Sequence, residues 1–95
     1  GERVKTIWKY PLQIVDEQTV EIPEGAEVIS VIAQGDVPAL YAIVDPTRSR
    51  GSRTVWIRGT GNVVHQWPEE GRFVGTVQTH EGRLVWHVFV REVAA

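Results

Sequence analysis

Turn signals recur about every ten residues along this chain, and that spacing constrains its fold more than any other feature. They fall at Pro11, Asp16-Glu17, Pro23-Glu24-Gly25, Gly35-Asp36, Asp45-Pro46, Gly59-Thr60-Gly61 and Glu81-Gly82. The runs between them are short, rich in β-branched and aromatic residues, and show no helical periodicity. The expectation is an all-β chain of about seven short strands, arranged as a small antiparallel sandwich or a partly closed barrel. A single helical turn between Gly59 and Gly71 would make it a β-rich α+β fold instead.

The runs can be read individually. Residues 4–10 (VKTIWKY) alternate, with Val4, Thr6, Trp8 and Tyr10 on one face and Lys5, Ile7 and Lys9 on the other, and Pro11 ends them. A short strand at 19–22 stops at Pro23. The run 27–34 (EVISVIAQ) is apolar on both sides and reads as an interior strand. Pro38 marks the entry to a strand at 40–44, and at 54–58 Thr54, Trp56 and Arg58 share one face while Val55 and Ile57 share the other. Runs 73–79 and 84–90 form the clearest hairpin: turning on Glu81 and Gly82, it sets Val77 opposite Trp86 and Thr76 opposite His87.

At 95 residues the chain reads as one domain, 1–95, too small for a large buried catalytic cleft. It has no Cys, which excludes disulfides, thiolate catalysis and Cys-based zinc sites, and fits a reducing compartment. No apolar run approaches the ~20 residues of a membrane span, and no signal peptide is read at the start, where Gly1 suggests a residue left by tag removal. Charge is split: residues 1–45 hold three Lys or Arg against eight Asp or Glu, and residues 46–95 hold seven against four. A weakly acidic whole argues against broad duplex nucleic-acid binding but leaves room for one compact anion site. Eight of the ten cations are Arg, the residue suited to planar contacts with phosphate or carboxylate.

The candidate anion site centres on YAIVDPTRSRGSRTVWIRGTG, residues 41–61, read as strand, polar loop, strand. Arg48, Arg50 and Arg53 with the Gly51 amide would cradle a phosphate, or form a solvated loop tip. Arg53 and Arg58, placed at strand ends, are the stronger pair. Trp56 and Trp67 would stack on a base, although most of the four tryptophans are expected in the core. His65, His80 and His87 lack metal-ligand spacing, and His87 is expected to be satisfied by a neighbour such as Thr76. Ser30, Ser49 and Ser52 have no elbow motif, and Asp16, Glu17, Glu69 and Glu70 are read in solvated turns. No enzyme, cofactor or metal is expected.

Taken together, KTIWKYPL, PALYAIVDP, the GTG step and GTVQTHEGRLVWHVF resemble a family of small bacteriophage and prophage proteins that carries no established biochemical label. The resemblance spans nearly the whole chain, and TRSRGSR departs from it. It implies a protein that acts by binding, in the cytoplasm of an infected bacterial host. The first expectation is an oligomeric protein that sequesters a nucleotide immune signal, a cyclic oligonucleotide or an ADP-ribose-type molecule. Arg53 and Arg58 would meet phosphates, with Arg48 and Arg50 assisting. Trp56, Trp67 or Tyr41 would stack, and Thr60 with the Gly59 and Gly61 amides would add hydrogen bonds. Two copies would enclose the ligand. The alternative is a protein-interaction module, inhibiting a host protein or serving as a minor virion component, that uses a sheet edge or the acidic Asp16, Glu17, Glu21, Glu24 and Glu27. A third option is single-strand nucleic-acid binding on a small barrel.

Overall fold

The computed structural model describes residues 4–63 and 71–91. Seven strands run in order: β1 (Thr6–Pro11), β2 (Glu17–Pro23), β3 (Glu27–Gln34), β4 (Val37–Val44), β5 (Arg50–Gly59), β6 (Gly71–Thr79) and β7 (Leu84–Arg91). They form two antiparallel sheets, β1-β4-β3 and β2-β5-β7-β6, packed as a sandwich rather than closed into a barrel. No helix occurs among the described residues, and none is long and apolar enough to cross a membrane.

Alternation places the core. Leu40, Ala42 and Val44 of β4 face Val55 and Ile57 of β5 and Val88 and Val90 of β7, all almost completely buried. Burying an aliphatic side chain of this size contributes about 1.5–3 kcal/mol, so these three strands hold the fold. The β6–β7 hairpin has the expected register, with Val77 opposite Trp86 and Thr76 opposite His87.

Three sequence readings need correction. First, β3 is an edge strand, not an interior one. A bulge at Ile29 resets its alternation, so Val28 and Val31 both face the core while Ile29 and Ile32 are exposed. Its two apolar faces reflect that change of phase. Second, β5 begins at Arg50, so Arg50 and Arg53 are strand residues and not part of a loop; pairing with β2, from Pro23↔Arg50 to Glu17↔Trp56, extends it. Third, Glu17 belongs to β2 rather than a turn, and its carboxylate accepts the Trp56 Nε1–H at 2.8 Å.

A second bulge, at Val74 of β6, matters more for function. Below it Val77 and Thr79 point inward; above it the phase reverses, and Phe73 turns outward opposite Phe89. Gly75, beside the bulge, is where β6 approaches β3: a Cβ there would lie 3.0 Å from Val31 Cγ1.

Candidate functional site

Arg53 and Arg58 are five positions apart on β5 and therefore on opposite faces. Arg58 lies on the outer face of the four-stranded sheet. Its Nη1 donates to the Asp16 carbonyl at 2.7 Å and to the Ile57 carbonyl at 3.1 Å, which fixes the guanidinium beside the start of β2. Next to it in register is His87, then Thr76. Both imidazole nitrogens are engaged, Nε2 at 2.6 Å from Thr60 Oγ1 and Nδ1 at 3.0 Å from Thr76 Oγ1. A neutral ring carries one N–H and one lone pair, so one threonine accepts a hydrogen bond and the other donates one. The ring is thereby held upright on the sheet.

Beside this row runs an aromatic one. Phe73 and Phe89 meet edge to face, with centroids 5.6 Å apart, and Phe73 is 53% exposed. Between the two rows and the Gly59–Asn62 turn is a hollow of about 380 Å³ lined by Arg58, Gly59, Gly61, Asn62, Phe73, His87 and Phe89. The turn is tight here. A Cβ on Gly59 would lie 2.5 Å from Asn62 Nδ2 and 3.0 Å from Trp86, so the position admits only glycine without rearrangement. A cation, an imidazole and an exposed phenyl ring around one concavity suit a flat aromatic ligand bearing an anionic group.

Arg53 occupies a different environment. It is 6% exposed, points between the sheets and donates from Nη2 to the Ala26 carbonyl at 3.1 Å. The Val74 bulge brings Arg72 to the same side, where its Nη2 donates to the Val28 carbonyl at 2.8 Å. The two guanidiniums line a cleft of about 570 Å³ with residues 25–29. Both arginines rise from the four-stranded sheet and bond carbonyls at the start of β3 in the other sheet. They are ties across the sandwich.

The remaining expected residues disperse. Arg48 sits in a turn where its N–H donates to the Asp45 carbonyl, and the Asp45 carboxylate takes the Thr47 amide at 2.9 Å and the Thr47 hydroxyl at 2.6 Å. That turn is satisfied by its own aspartate. Arg50 lies over the Trp8 ring at 5.2 Å, and the three arginines do not converge. Trp56 is on the Arg58 face but only 6% exposed, hydrogen-bonded to Glu17 and covered by the Arg91 guanidinium at 5.5 Å. Thr60 spends its amide on the Val85 carbonyl and its hydroxyl on His87. Tyr41 lies in the other sheet, between Lys9 and Ser30, away from Arg58. Trp67 and His65 lie outside the described residues. The hollow therefore joins Arg58, Gly59 and Gly61 to Phe73, Phe89, Asn62 and His87, none of which the sequence marked as ligand-binding. No three His, Asp or Glu side chains group as a metal would require among the described residues.

Fold and site define the chain as a two-sheet antiparallel β sandwich with a cationic, aromatic hollow on one outer face. It belongs to the family described as a domain of unknown function, DUF7352, whose model matches residues 3–95. No curated protein and no solved structure matches it.

Proposed function

We propose that this protein is a non-catalytic binder of a nucleotide-class small molecule, held in the hollow on the outer face of the four-stranded sheet. One observation carries the reading: the exposed Phe73 ring stands beside Arg58 and His87 around a concavity of about 380 Å³. The ring offers a stacking surface to a base, while Arg58 offers charge-assisted hydrogen bonds to a phosphate or carboxylate. The resemblance to small phage and prophage proteins supplies the setting, sequestration of a nucleotide immune signal of cyclic-oligonucleotide or ADP-ribose type in an infected bacterial cytoplasm.

The test is thermal unfolding against a panel of cyclic dinucleotides, cyclic trinucleotides and ADP-ribose derivatives. At a hundredfold excess over Kd a ligand specific for the folded state contributes about 2.7 kcal/mol, a shift of several degrees for a domain of this size. A selective shift, lost in Phe73→Ala and with the ligand recovered intact, supports the reading. No shift across the panel rejects it.

A second reading, a protein-interaction module that inhibits a host protein or serves as a minor virion component, is favoured by the outer face of the three-stranded sheet. Ile7 and Ile32 there are 56% and 51% exposed, flanking Tyr41. Loss of a partner on substituting Ile7 and Ile32 by Ser, with the hollow intact, would favour it.

A further inference from the structure

Of the described residues lining the hollow, two carry ionisable side chains, Arg58 and His87. A guanidinium stays charged throughout, whereas imidazole is the side chain that changes charge between about pH 5 and 8. The two are register partners on β5 and β7, so their Cβ atoms stand about 4.5–5.5 Å apart on one face. An anion seated against Arg58 is therefore close enough to interact with the charge on the imidazole as well.

The threonines that hold the ring let that charge change in place. With a neutral ring, one threonine gives its O–H to the lone-pair nitrogen and the other accepts the ring N–H. An imidazolium has two N–H groups and no lone pair. Because a hydroxyl both donates and accepts on a freely turning bond, the donating threonine need only rotate for both to accept. No ring or backbone atom moves, and His87 keeps both partners in either state. The rotation also releases the O–H that the neutral ring had held. Thr60 and Thr76 are both exposed, so one added proton gives this face a positive charge and one further hydrogen-bond donor.

We propose that the hollow binds its anion together with a proton taken from solvent, the His87 imidazole becoming imidazolium as the anion settles against Arg58. This rests on the hollow being the ligand site, and it adds how that site is regulated. Affinity for an anionic ligand is full in acid and falls as pH climbs through the ordinary histidine range near about 6.5. Linkage makes the effect reciprocal, so a bound anion holds the proton to higher pH.

The charges around His87 are consistent with that role. From β6 it meets Thr76, with Phe73 and Gln78 to either side, all uncharged, because the bulge turns Arg72 inward. The Gly59–Asn62 turn brings no ionisable group. Four residues away along the chain in either direction are Arg83, bonded to the His80 carbonyl, and Arg91, over the Trp56 ring. Beyond β5, Glu17 is engaged by Trp56 and the Asp16 carbonyl by Arg58. Arg58 is the charge directly beside the ring.

The experiment is an NMR pH titration of the histidine Cε1–H signals of the full chain, in sulfate and in chloride at equal ionic strength. Sulfate keeps its charge across the range, so only the protein takes up a proton. His87→Gln identifies the His87 signal, and His80, at the β6–β7 turn beside Asp36, is the control. Sulfate is expected to carry the His87 transition upward by about 0.7 pH unit at its plateau, a coupling of about fivefold, and to leave His80 in place. Arg58→Gln is expected to remove the effect. The proposal is overturned if sulfate leaves His87 where it was, moves His80 equally, or still moves His87 in Arg58→Gln. The nucleotide reading fails separately: a sulfate effect without any response in the nucleotide panel rejects that reading alone, and a nucleotide response without a sulfate effect rejects this one alone.

Discussion

Arg53 and Arg58 share a strand, a side-chain type and a place near a turn, yet one is a strut and the other a site. Arg53 points between the sheets, where its guanidinium is committed to the Ala26 carbonyl. Arg58 points out, beside a hollow edged by an exposed phenyl ring. An odd separation along a strand decides between these fates. The lesson is that the polar groups inside this sandwich act by being paired, and those outside by being presented.

The contrast can be broken most sharply at Arg53. Arg53→Ala leaves the Ala26 carbonyl short of a donor in a buried setting and opens a void. It is expected to lower stability by about 3 kcal/mol in chemical denaturation, against less than about 1 kcal/mol for Arg58→Ala. Equal losses would dissolve the distinction. Next in size, Phe73→Ala is expected to cost about 1–3 kcal/mol of ligand affinity by calorimetry while barely moving the thermal midpoint, because the ring is exposed. A large fall in midpoint would make Phe73 a structural residue.

The interior rule is sharpened by Tyr10, whose hydroxyl is buried without a hydrogen-bond partner. Tyr10→Phe is expected to raise stability by about 1 kcal/mol. Burial also pushes the Tyr10 pKa above its ordinary value, against a smaller opposing pull from Arg50. The folded state thus favours the neutral phenol. Stability is full below the ordinary tyrosine range of about 10 and declines as pH climbs through it, because the unfolded chain releases the proton first. Denaturation of Tyr10→Phe across that range should show a shallower decline than the wild type. The smallest effect is expected at Thr76→Val: the Thr76–His87 bond is exposed, water replaces it, and the midpoint changes by less than about 1 kcal/mol in equivalent stability.

Local chemistry made much of the fold legible. Turn residues and alternation located all seven strands, and the register of the β6–β7 hairpin followed from its Glu81-Gly82 turn. The barrel alternative stayed open because closure depends on which edges meet, and no local pattern encodes that. The start of β5 was obscured because Arg50 and Arg53 look like loop residues until β2 pairs with them. The site was legible in part. Arg58, Gly59 and Gly61 stand together because they are neighbours in sequence. Tyr41 was misplaced because the sheet that β4 joins is a long-range fact. Phe73 and Phe89 were overlooked, although the pairing of their two strands was visible, because a bulge reverses the facing of Phe73.

That bulge makes chain length in β6 a carrier of information. Taking Val74 into the ladder, with no residue removed, would leave a strand of unbroken alternation, and everything upstream of it would exchange sides: Phe73 would turn toward the core and Arg72 toward solvent. The sandwich would lose a tie and the hollow its stacking ring in one step. Among related sequences, a strand one residue shorter here would keep Phe73 outward with no bulge, whereas a strand of this length keeps it outward only through the bulge. A comparison of relatives should therefore count residues between Gly71 and Gly75 before asking which residues they are.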